Sequence, residues 1–276
     1  MYIKKIFNYF ILRPLCEFIV SFTNIFNRNI FVIIYNFFNF LTLNNKYIDF
    51  KDKVYFIKDR KKKWFFSHKT RAWIYFKGLK YRSEELRNEY LLKKIPIKKN
   101  DIIIDCGANV GDFFLCFNKK INYIGIEPSP KEFFVLKKNI ENQTLVNKAL
   151  WKKSINKKTF FVSSEDADSS LIEINKFEKK IKIDTVTLDE LLKNKKKRIK
   201  LLKLEAEGAE PEILYGLNKK INLIDYISID AGFERGKYLE STLVPCINYL
   251  SKKNFELIGY SNTRIVILFK NKKNLK

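Results

Sequence analysis

Histidine and cysteine are scarce in this chain of 276 residues, which contains one histidine and four cysteines. No CxxC spacing occurs, so the sequence predicts neither a zinc site nor a disulfide framework, and free thiols suit a reducing, cytoplasmic setting. A metal site built from several histidines is excluded. His68 is the one candidate for imidazole acid–base chemistry, and because it stands in a basic stretch away from other motifs we interpret it as a surface residue.

Long apolar runs are also missing. The longest, residues 30–43, is interrupted by Asn36 and Asn39 and is shorter than the ~20 residues that a membrane-spanning helix needs. No small-residue cleavage site follows it, so we expect no signal peptide. Residues 1–43 mix aromatic and basic side chains, as an interfacial helix on an anionic membrane does. A helix packed on the main domain would explain them equally well, and both interpretations stay open.

Acidic residues are outnumbered, with 30 Asp and Glu against 54 Lys and Arg and a formal net charge of +24. Such a charge is typical of nucleic-acid binders. The lysines are nevertheless spread over every segment of a chain that is also rich in Asn, Ile, Phe and Tyr, which indicates a general compositional bias. We therefore do not expect nucleic acid to be the partner. The hydrophobic fraction of 46% is ample for a buried core.

Two parts of the chain differ in character. Residues 1–94 are basic and aromatic and are predicted to be a helical N-terminal segment, which includes a helix that begins at Ser83. Residues 95–276 are predicted to be the main domain, in which strand-length apolar runs alternate with helical patterns, as in βαβ units around a parallel sheet. The predicted strands of the sheet are 102–105, 123–127, 145–146, 201–205 and 226–230. Two further strands, 158–163 and 181–186, are predicted in the long connection between the third and the fourth of these. The last two, 255–260 and 264–269, are predicted to form an antiparallel hairpin.

A glycine loop follows the first of these strands. Its candidate cofactor-binding residues are Asp105, Gly107, Ala108, Asn109 and Gly111. Glycines permit a tight turn from strand to helix and let a ligand approach the main chain. The next strand ends in Glu127 and Pro128, and an acid at that spacing is suited to accept hydrogen bonds from both hydroxyls of an adenosine ribose. The combination predicts an adenosine cofactor.

The spacing of the glycines indicates which adenosine cofactor. The loop reads G-x-x-x-G and is flanked by Asp105 and Asp112, whereas a pyrophosphate prefers the bare amides of G-x-G-x-x-G. Carboxylates repel phosphate but attract the ammonium and sulfonium groups of S-adenosylmethionine. We therefore predict S-adenosylmethionine as the cofactor. A nicotinamide oxidoreductase is the alternative, and cofactor binding separates the two.

Five motifs together resemble the FkbM family of methyltransferases. They are the glycine loop, Glu127-Pro128, Ser170-Leu171, Thr187-Leu-Asp189 and the block from Lys203 to Glu210. The resemblance covers residues 82–269. It implies a Rossmann-like α/β class I methyltransferase fold, with a mostly parallel seven-stranded sheet, a C-terminal antiparallel hairpin and, in this chain, the N-terminal helical segment. It also implies O-methylation of a hydroxyl group, often on a sugar or glycan. Glu205 stands where the family's commonest form has Asp.

Candidate catalytic residues follow the fourth and fifth strands of this sheet. They are Lys203, Glu205, Glu207 and Asp230. Ligands of open α/β sheets bind at the carboxyl ends of strands, and a sugar hydroxyl needs a base to take its proton. Acids near Pro211 also suit the first turn of a helix. Glu205 and Glu207 therefore stay open between catalysis and structure, Glu210 is interpreted as a helix cap, and Lys203 would contact an acid or an anionic substrate.

Other functions compete with a glycan methyltransferase. A nucleic-acid methyltransferase would use the positive charge, but the fourth strand lacks an Asn/Asp-Pro-Pro-aromatic block. A non-catalytic membrane-surface or scaffold protein would use the aromatic N-terminus and would not bind the methyl donor. No ligand spacing predicts a metal site. The sequence thus favours a cytoplasmic enzyme that methylates a hydroxylated carbohydrate, with peripheral membrane contact through residues 1–43 as an open option.

Overall fold

A computed structural model of the chain describes residues 26–41, 45–163 and 168–274. The chain divides into two compact units, Met1–Arg82 and Ser83–Lys276. This boundary comes before the predicted 94/95, because the residues after Ser83 pack within the second unit. Tyr90 is buried and its carbonyl accepts a hydrogen bond from Ser228 Oγ. Residues 1–25, most of the predicted interfacial segment, lie outside the described residues.

The first unit contains a helix and a small antiparallel sheet. Helix α1 (Arg28–Leu41) packs on strands β1 (Lys46–Lys51), β2 (Val54–Asp59) and β3 (Lys62–Phe66), which pair in the order β1–β2–β3. A 3₁₀ helix, Lys69–Tyr75, follows. The N-terminal segment that the sequence predicts to be helical thus contains strands β1 to β3 as well as helix α1. Alternating aromatic and β-branched residues favour strands here, and Asp52 and Lys53 both adopt the left-handed conformation that a two-residue hairpin turn requires.

The second unit is an α/β domain that begins within helix α2 (Leu79–Glu89). Ser83 lies inside α2 rather than at its start, which corrects the predicted N-cap. The strands that follow are β4 (Ile102–Cys106), β5 (Asn122–Ile126), β6 (Thr144–Val146), β7 (Ala149–Leu150), β8 (Lys158–Val162), β9 (Lys179–Ile183), β10 (Thr185–Val186), β11 (Ile199–Leu204), β12 (Ile224–Asp230), β13 (Phe255–Tyr260) and β14 (Val266–Asn271). The helices are α3 (Pro130–Asn139), α4 (Leu188–Leu191), α5 (Glu210–Tyr215) and α6 (Leu243–Lys252).

Seven of these strands form one sheet in the order β13–β14–β12–β11–β4–β5–β6. Strands β6, β5, β4, β11 and β12 pair in parallel, and β14 pairs antiparallel with both β12 and β13. The predicted mostly parallel seven-stranded sheet with a C-terminal antiparallel hairpin is confirmed. The excursion between β6 and β11 forms two small pairs, parallel β7–β10 and antiparallel β8–β9.

The central strands are buried on both faces, as continuous apolar runs in parallel sheets predict. Every residue of β4 and of β12 is buried. Asp105 and Asp230 stand at or next to the carboxyl ends of these strands, whereas Asp225 stands near the amino end of β12. The fold therefore brings the acids of separate motifs to one edge of the sheet. Throughout the described residues, no helix combines the length and the hydropathy needed to cross a membrane.

Candidate active site

The glycine loop after β4 packs tightly against β11. Gly107 has φ +70°, and a Cβ there would lie 1.9 Å from the carbonyl oxygen of Glu205. Only glycine tolerates both the left-handed backbone and this close approach. The amides of Gly107 and Ala108 both donate to the carbonyl of Ile126, each at 3.0 Å. The loop is thus held between the carboxyl ends of β5 and β11.

Glu127 connects the glycine loop to the end of β5. Its two carboxylate oxygens accept hydrogen bonds from the amides of Asn109 and Ser129, both at 2.8 Å. Asn109 has φ +48°, so its amide points back toward Glu127 rather than along a helix. Burial raises the pKa of Glu127 to about 8, although these amide donors counteract part of the shift. Pro128, the other residue predicted here, is half-buried beside it.

Lys203 is the buried centre of the site. Its ammonium group lies 3.0 Å from Asp105 Oδ1 and 2.9 Å from Glu205 Oε2. It also donates to the carbonyls of Cys106 and Gly107, at 3.1 and 2.9 Å. The side chain is 3% exposed, and burial alone would lower its pKa, but the two carboxylates outweigh burial and raise it. Lys203 therefore stays charged and is committed to contacts inside the protein.

Asp105 lies deeper than the predicted cofactor contact suggests. It is fully buried, and besides its ion pair with Lys203 it accepts a hydrogen bond from the Tyr123 hydroxyl. In the structure Asp105 thus contacts Lys203 and Tyr123 inside the protein. Gly107 and Asn109 are the half-exposed residues of the loop, whereas Ala108 and Gly111 are buried.

Arg264 belongs to this cluster of charged residues, and the sequence interpretation missed it. Its guanidinium group contacts Glu205 at 3.0 Å, Glu234 at 3.5 Å and also Asp230. Arg264 stands two residues before β14, so the antiparallel hairpin places a cation at the acid-bearing ends of β11 and β12. The signal that could have found it is a basic residue in the hairpin turn of a sheet whose neighbouring strands end in acids.

Lys203 and Arg264 bind Glu205 from two sides. Burial would raise the pKa of Glu205, but these two cations outweigh it and hold the pKa well below its ordinary value. Burial and the charge of Glu205 raise the pKa of Asp230, which Arg264 partly offsets. Both carboxylates are thus engaged in ion pairs, and Glu205 is a poor proton acceptor.

Glu207 and Glu234 both have pKa values above the ordinary value of a glutamate, in contrast to Glu205. Glu207 has φ +49°, a conformation that is uncommon outside glycine, and its carbonyl accepts a hydrogen bond from Ser170 Oγ at 2.8 Å. Burial and then the charge of Glu234 raise the pKa of Glu207 well above its ordinary value. Burial and the charge of Asp230 raise the pKa of Glu234 to about 7, and the neighbouring Glu207 carboxyl group lowers it in part.

Glu210 supports the turn after β11 rather than capping α5 in the usual way. Its Oε1 accepts from the amides of Ala206 and Gly208, at 2.7 and 3.3 Å, while the N-cap position is Ala209. Burial raises the pKa of Glu210 to about 7. Within the described part of the chain, no three His, Cys, Asp or Glu side chains are placed to hold a metal ion.

The family model for the methyltransferase FkbM domain matches residues 105–257, more than half of the chain. The chain belongs to the FkbM methyltransferase family. This FkbM enzyme is a methyltransferase that depends on S-adenosylmethionine. No curated protein matches the sequence.

Solved structures similar to this FkbM methyltransferase are distant. A TehB-like S-adenosylmethionine-dependent methyltransferase from Corynebacterium glutamicum is 12% identical, with 70% of this chain and 98% of that chain covered and a TM-score of 0.40. A ribosomal RNA methylase from Streptococcus thermophilus is 10% identical, covering 68% and 96%, with a TM-score of 0.38. A methyltransferase from Leishmania major is 7% identical, covering 69% and 72%, with a TM-score of 0.36.

The residues of the FkbM site fit its cofactor. A Cβ at Gly107 would collide with the carbonyl oxygen of Glu205. The backbone at Gly107 therefore has no side chain between it and a ligand at the carboxyl edge of the sheet. Glu127 uses one lone pair of each oxygen for Asn109 and Ser129, so each oxygen can still accept a bond from a ribose hydroxyl. Glu205 and Asp230 add negative charge that suits a sulfonium and an ammonium group. Glu127, Gly107 and Asn109 would hold the cofactor.

Proposed function

We propose that this FkbM methyltransferase methylates a hydroxyl group, on a sugar of a glycan or of a glycolipid precursor, on the cytoplasmic side. The neighbouring carboxyl groups of Glu207 and Glu234, whose pKa values burial and nearby charges raise, are the observation that carries this proposal. A hydroxyl is a poor nucleophile until a base takes its proton. A carboxyl group with a pKa near neutrality is suited to that task. Buried thiols such as Cys106 and Cys246 agree with a reducing compartment.

When bound, S-adenosylmethionine supplies an electrophilic methyl group on a sulfonium. The Glu207–Glu234 pair accepts the proton of the acceptor hydroxyl as its oxygen forms the new bond to the methyl carbon, while the bond from that carbon to sulfur breaks and leaves S-adenosylhomocysteine. The proton stays on a carboxylate oxygen of the pair until solvent removes it. Lys203 donates to the carbonyl of Gly107 and pairs with Glu205. The glycine loop and the end of β11 therefore keep one relative position. Alignment of this kind accounts for much of the rate of a displacement reaction.

The charges around the pair favour a neutral acceptor. Asp168, which is exposed, and Glu205 add their negative charges to those of Glu207 and Glu234. Such a group of carboxylates repels the phosphates of a nucleic acid, but carboxylates accept hydrogen bonds readily from the hydroxyls of a sugar. In the same loop as Glu234, the aromatic side chains of Phe233 and Tyr238 are 63% and 89% exposed. Rings with an apolar face and this exposure suit a carbohydrate surface.

Transfer of a labelled methyl group from S-adenosylmethionine tests the proposal. The acceptors are a set of free sugars, lipid-linked oligosaccharide precursors and transfer RNA. We expect base-stable incorporation into a carbohydrate, which marks an ether rather than an ester. Glu207→Gln should lower it by roughly 100-fold, whereas Glu173→Gln, at an exposed carboxylate outside the site, should leave it unchanged. Incorporation into RNA alone, or equal activity of Glu207→Gln, would contradict the proposal.

A further inference from the structure

Helix α1 is apolar on both of its faces. One face packs inside the first unit, where Phe31 and Tyr35 are fully buried. Asn36 fixes the orientation, because its side chain bonds both the amide and the carbonyl of Ile48 at 2.8 Å, and Tyr35 donates to the carbonyl of Ala72 at 2.9 Å. The opposite face therefore points away from β1.

That outward face carries a stripe of large apolar side chains. Ile33, Phe37 and Phe40 are 67%, 56% and 75% exposed. Together with the exposed Ile30 they are spaced three or four positions apart, so they share one side of the helix, and the exposed Phe26 stands two residues before the helix begins. A helix that is apolar all round is normally buried, and a contiguous exposed apolar patch marks an interaction surface. Something outside the described residues is expected to cover this stripe.

Positive charge surrounds the start of the stripe. The Arg28 guanidinium lies 4.1 Å from the centre of the Phe50 ring, and Lys69 Nζ donates to the carbonyl of Phe26 at 3.0 Å. Lys51 and Lys53 follow Phe50 directly in the β1–β2 turn. Between residues 26 and 82 the sequence has fourteen Lys and Arg against three Asp and Glu. Each basic residue near an anionic bilayer adds to binding, and the effect fades within a Debye length.

We propose that the exposed face of α1, defined by Ile30, Ile33, Phe37 and Phe40, lies with the preceding Phe26 in the interface of an anionic lipid membrane. A helix of 14 residues is about 21 Å long, so it lies along the surface rather than across the bilayer. Its apolar stripe enters the acyl boundary, and the basic residues at its start contact lipid headgroups, as interfacial helices do. Charge complementarity distinguishes this occupant from a second copy of the chain, whose matching surface would be equally basic.

Vesicle co-sedimentation of the full chain tests this inference. Vesicles of phosphatidylcholine mixed with phosphatidylglycerol should bind the protein, and pure phosphatidylcholine should bind it several-fold less. Salt should weaken binding to the anionic vesicles. The variant Ile33→Ser/Phe37→Ser/Phe40→Ser should reduce binding at least about tenfold. Because these side chains are exposed, circular dichroism should show an unchanged fold.

The matched control is Val244→Ser/Tyr260→Ser, which removes apolar side chains that are 64% and 69% exposed in the second unit. This control should sediment like the unchanged chain. Equal vesicle binding by the triple variant overturns the proposal, since another segment, such as residues 1–25, would then hold the membrane. Failure of the folded full chain to bind anionic vesicles at low salt also overturns it. So does light scattering that shows a dimer which the triple variant alone converts to a monomer.

Discussion

The ammonium group of Lys203 donates a hydrogen bond of 2.9 Å to the main-chain carbonyl of Gly107. This contact joins the end of β11 to the glycine loop that follows β4. The same ammonium holds Asp105 and Glu205, so one buried cation fixes the cofactor loop and the acid-bearing strand together. We propose that Lys203 is a positioning residue, because its contacts are all made inside the protein.

Lys203→Met should uncouple the loop from β11. The substitution keeps much of the side-chain volume but leaves Asp105 buried without its cation, which typically costs about 3–5 kcal/mol of unfolding free energy. Urea unfolding measures this loss, and calorimetric titration should show greatly weakened binding of S-adenosylhomocysteine. The control is Lys180→Met, since the side chain of Lys180 is half-exposed, makes a long ion pair with Glu173 at 3.9 Å and lies over the rings of Phe161 and Phe177. Equal stability of the two variants would contradict the central role of Lys203.

Gly107→Ala should abolish cofactor binding. Its Cβ would lie 1.9 Å from the carbonyl oxygen of Glu205, so the loop must move away from β11. Gly236→Ala is the matched control, because Gly236 has a similar φ of +67° but its Cβ would meet Ile172 at an ordinary 3.4 Å. Both variants carry the backbone cost of a left-handed alanine, about 1–2 kcal/mol. Only Gly107→Ala should lose binding of S-adenosylhomocysteine in calorimetry, and equal binding by both would refute the close-approach argument.

The sequence predicted the α/β domain well because its central strands are continuous apolar runs with Asp or Glu at or next to their carboxyl ends. In a βαβ pattern, short apolar runs of this kind are rarely anything but strands. The acids Asp105 and Glu127 mark the ends of two neighbouring strands. The hairpin β13–β14 was also predicted, from two short apolar runs around Ser261-Asn-Thr. Local patterns of this kind determine secondary structure whenever both faces of a strand are buried.

Long-range contacts were beyond the sequence interpretation. Nothing near Arg264 in the chain indicates that it contacts Glu205, 59 positions earlier, because only the sheet order brings β14 beside β12. The antiparallel sheet of the first unit was missed for another reason. Its turn uses Asp52 and Lys53 in place of the usual Asn-Gly, and a lysine at positive φ is not a recognised turn signal.

Activity should rise with pH through about 7. If the Glu207–Glu234 pair is the base, its ionised form is the active one, and burial together with Asp230 raises the pKa of Glu234 to about 7. The logarithm of kcat/KM should therefore climb below neutrality and level off above it. Glu234→Gln should lower the plateau of kcat/KM by roughly 100-fold and remove the rise of kcat/KM with pH below neutrality. Glu173→Gln should keep the whole profile, and a flat profile in the unchanged enzyme would exclude the pair as the base.

Arg264→Gln should move the rise of kcat/KM with pH to higher pH. Arg264 lowers the pKa of Glu234, and its loss would favour the protonated carboxyl. Asp230, which is 1% exposed, would also lose its cation, so we expect a stability loss of about 1–3 kcal/mol. The pH profile separates positioning from mere destabilisation. Arg198→Gln, which breaks an ion pair with Asp225 at the other end of β12, should leave the profile in place.

Glu210→Gln should change how stability depends on pH. Burial raises the pKa of Glu210 to about 7, so the folded state binds its proton more tightly than the unfolded state. This contribution is fully present below the ordinary value of 4.5 and is lost as the pH rises through about 7, by up to roughly 3 kcal/mol. The amide of Gln keeps the neutral shape and can still accept from Ala206 and Gly208. Urea unfolding at pH 5 and pH 8 should therefore show a smaller loss of stability in the variant, whereas Glu173→Gln should behave like the unchanged chain. An identical pH dependence in Glu210→Gln would show that Glu210 is ionised in the folded protein.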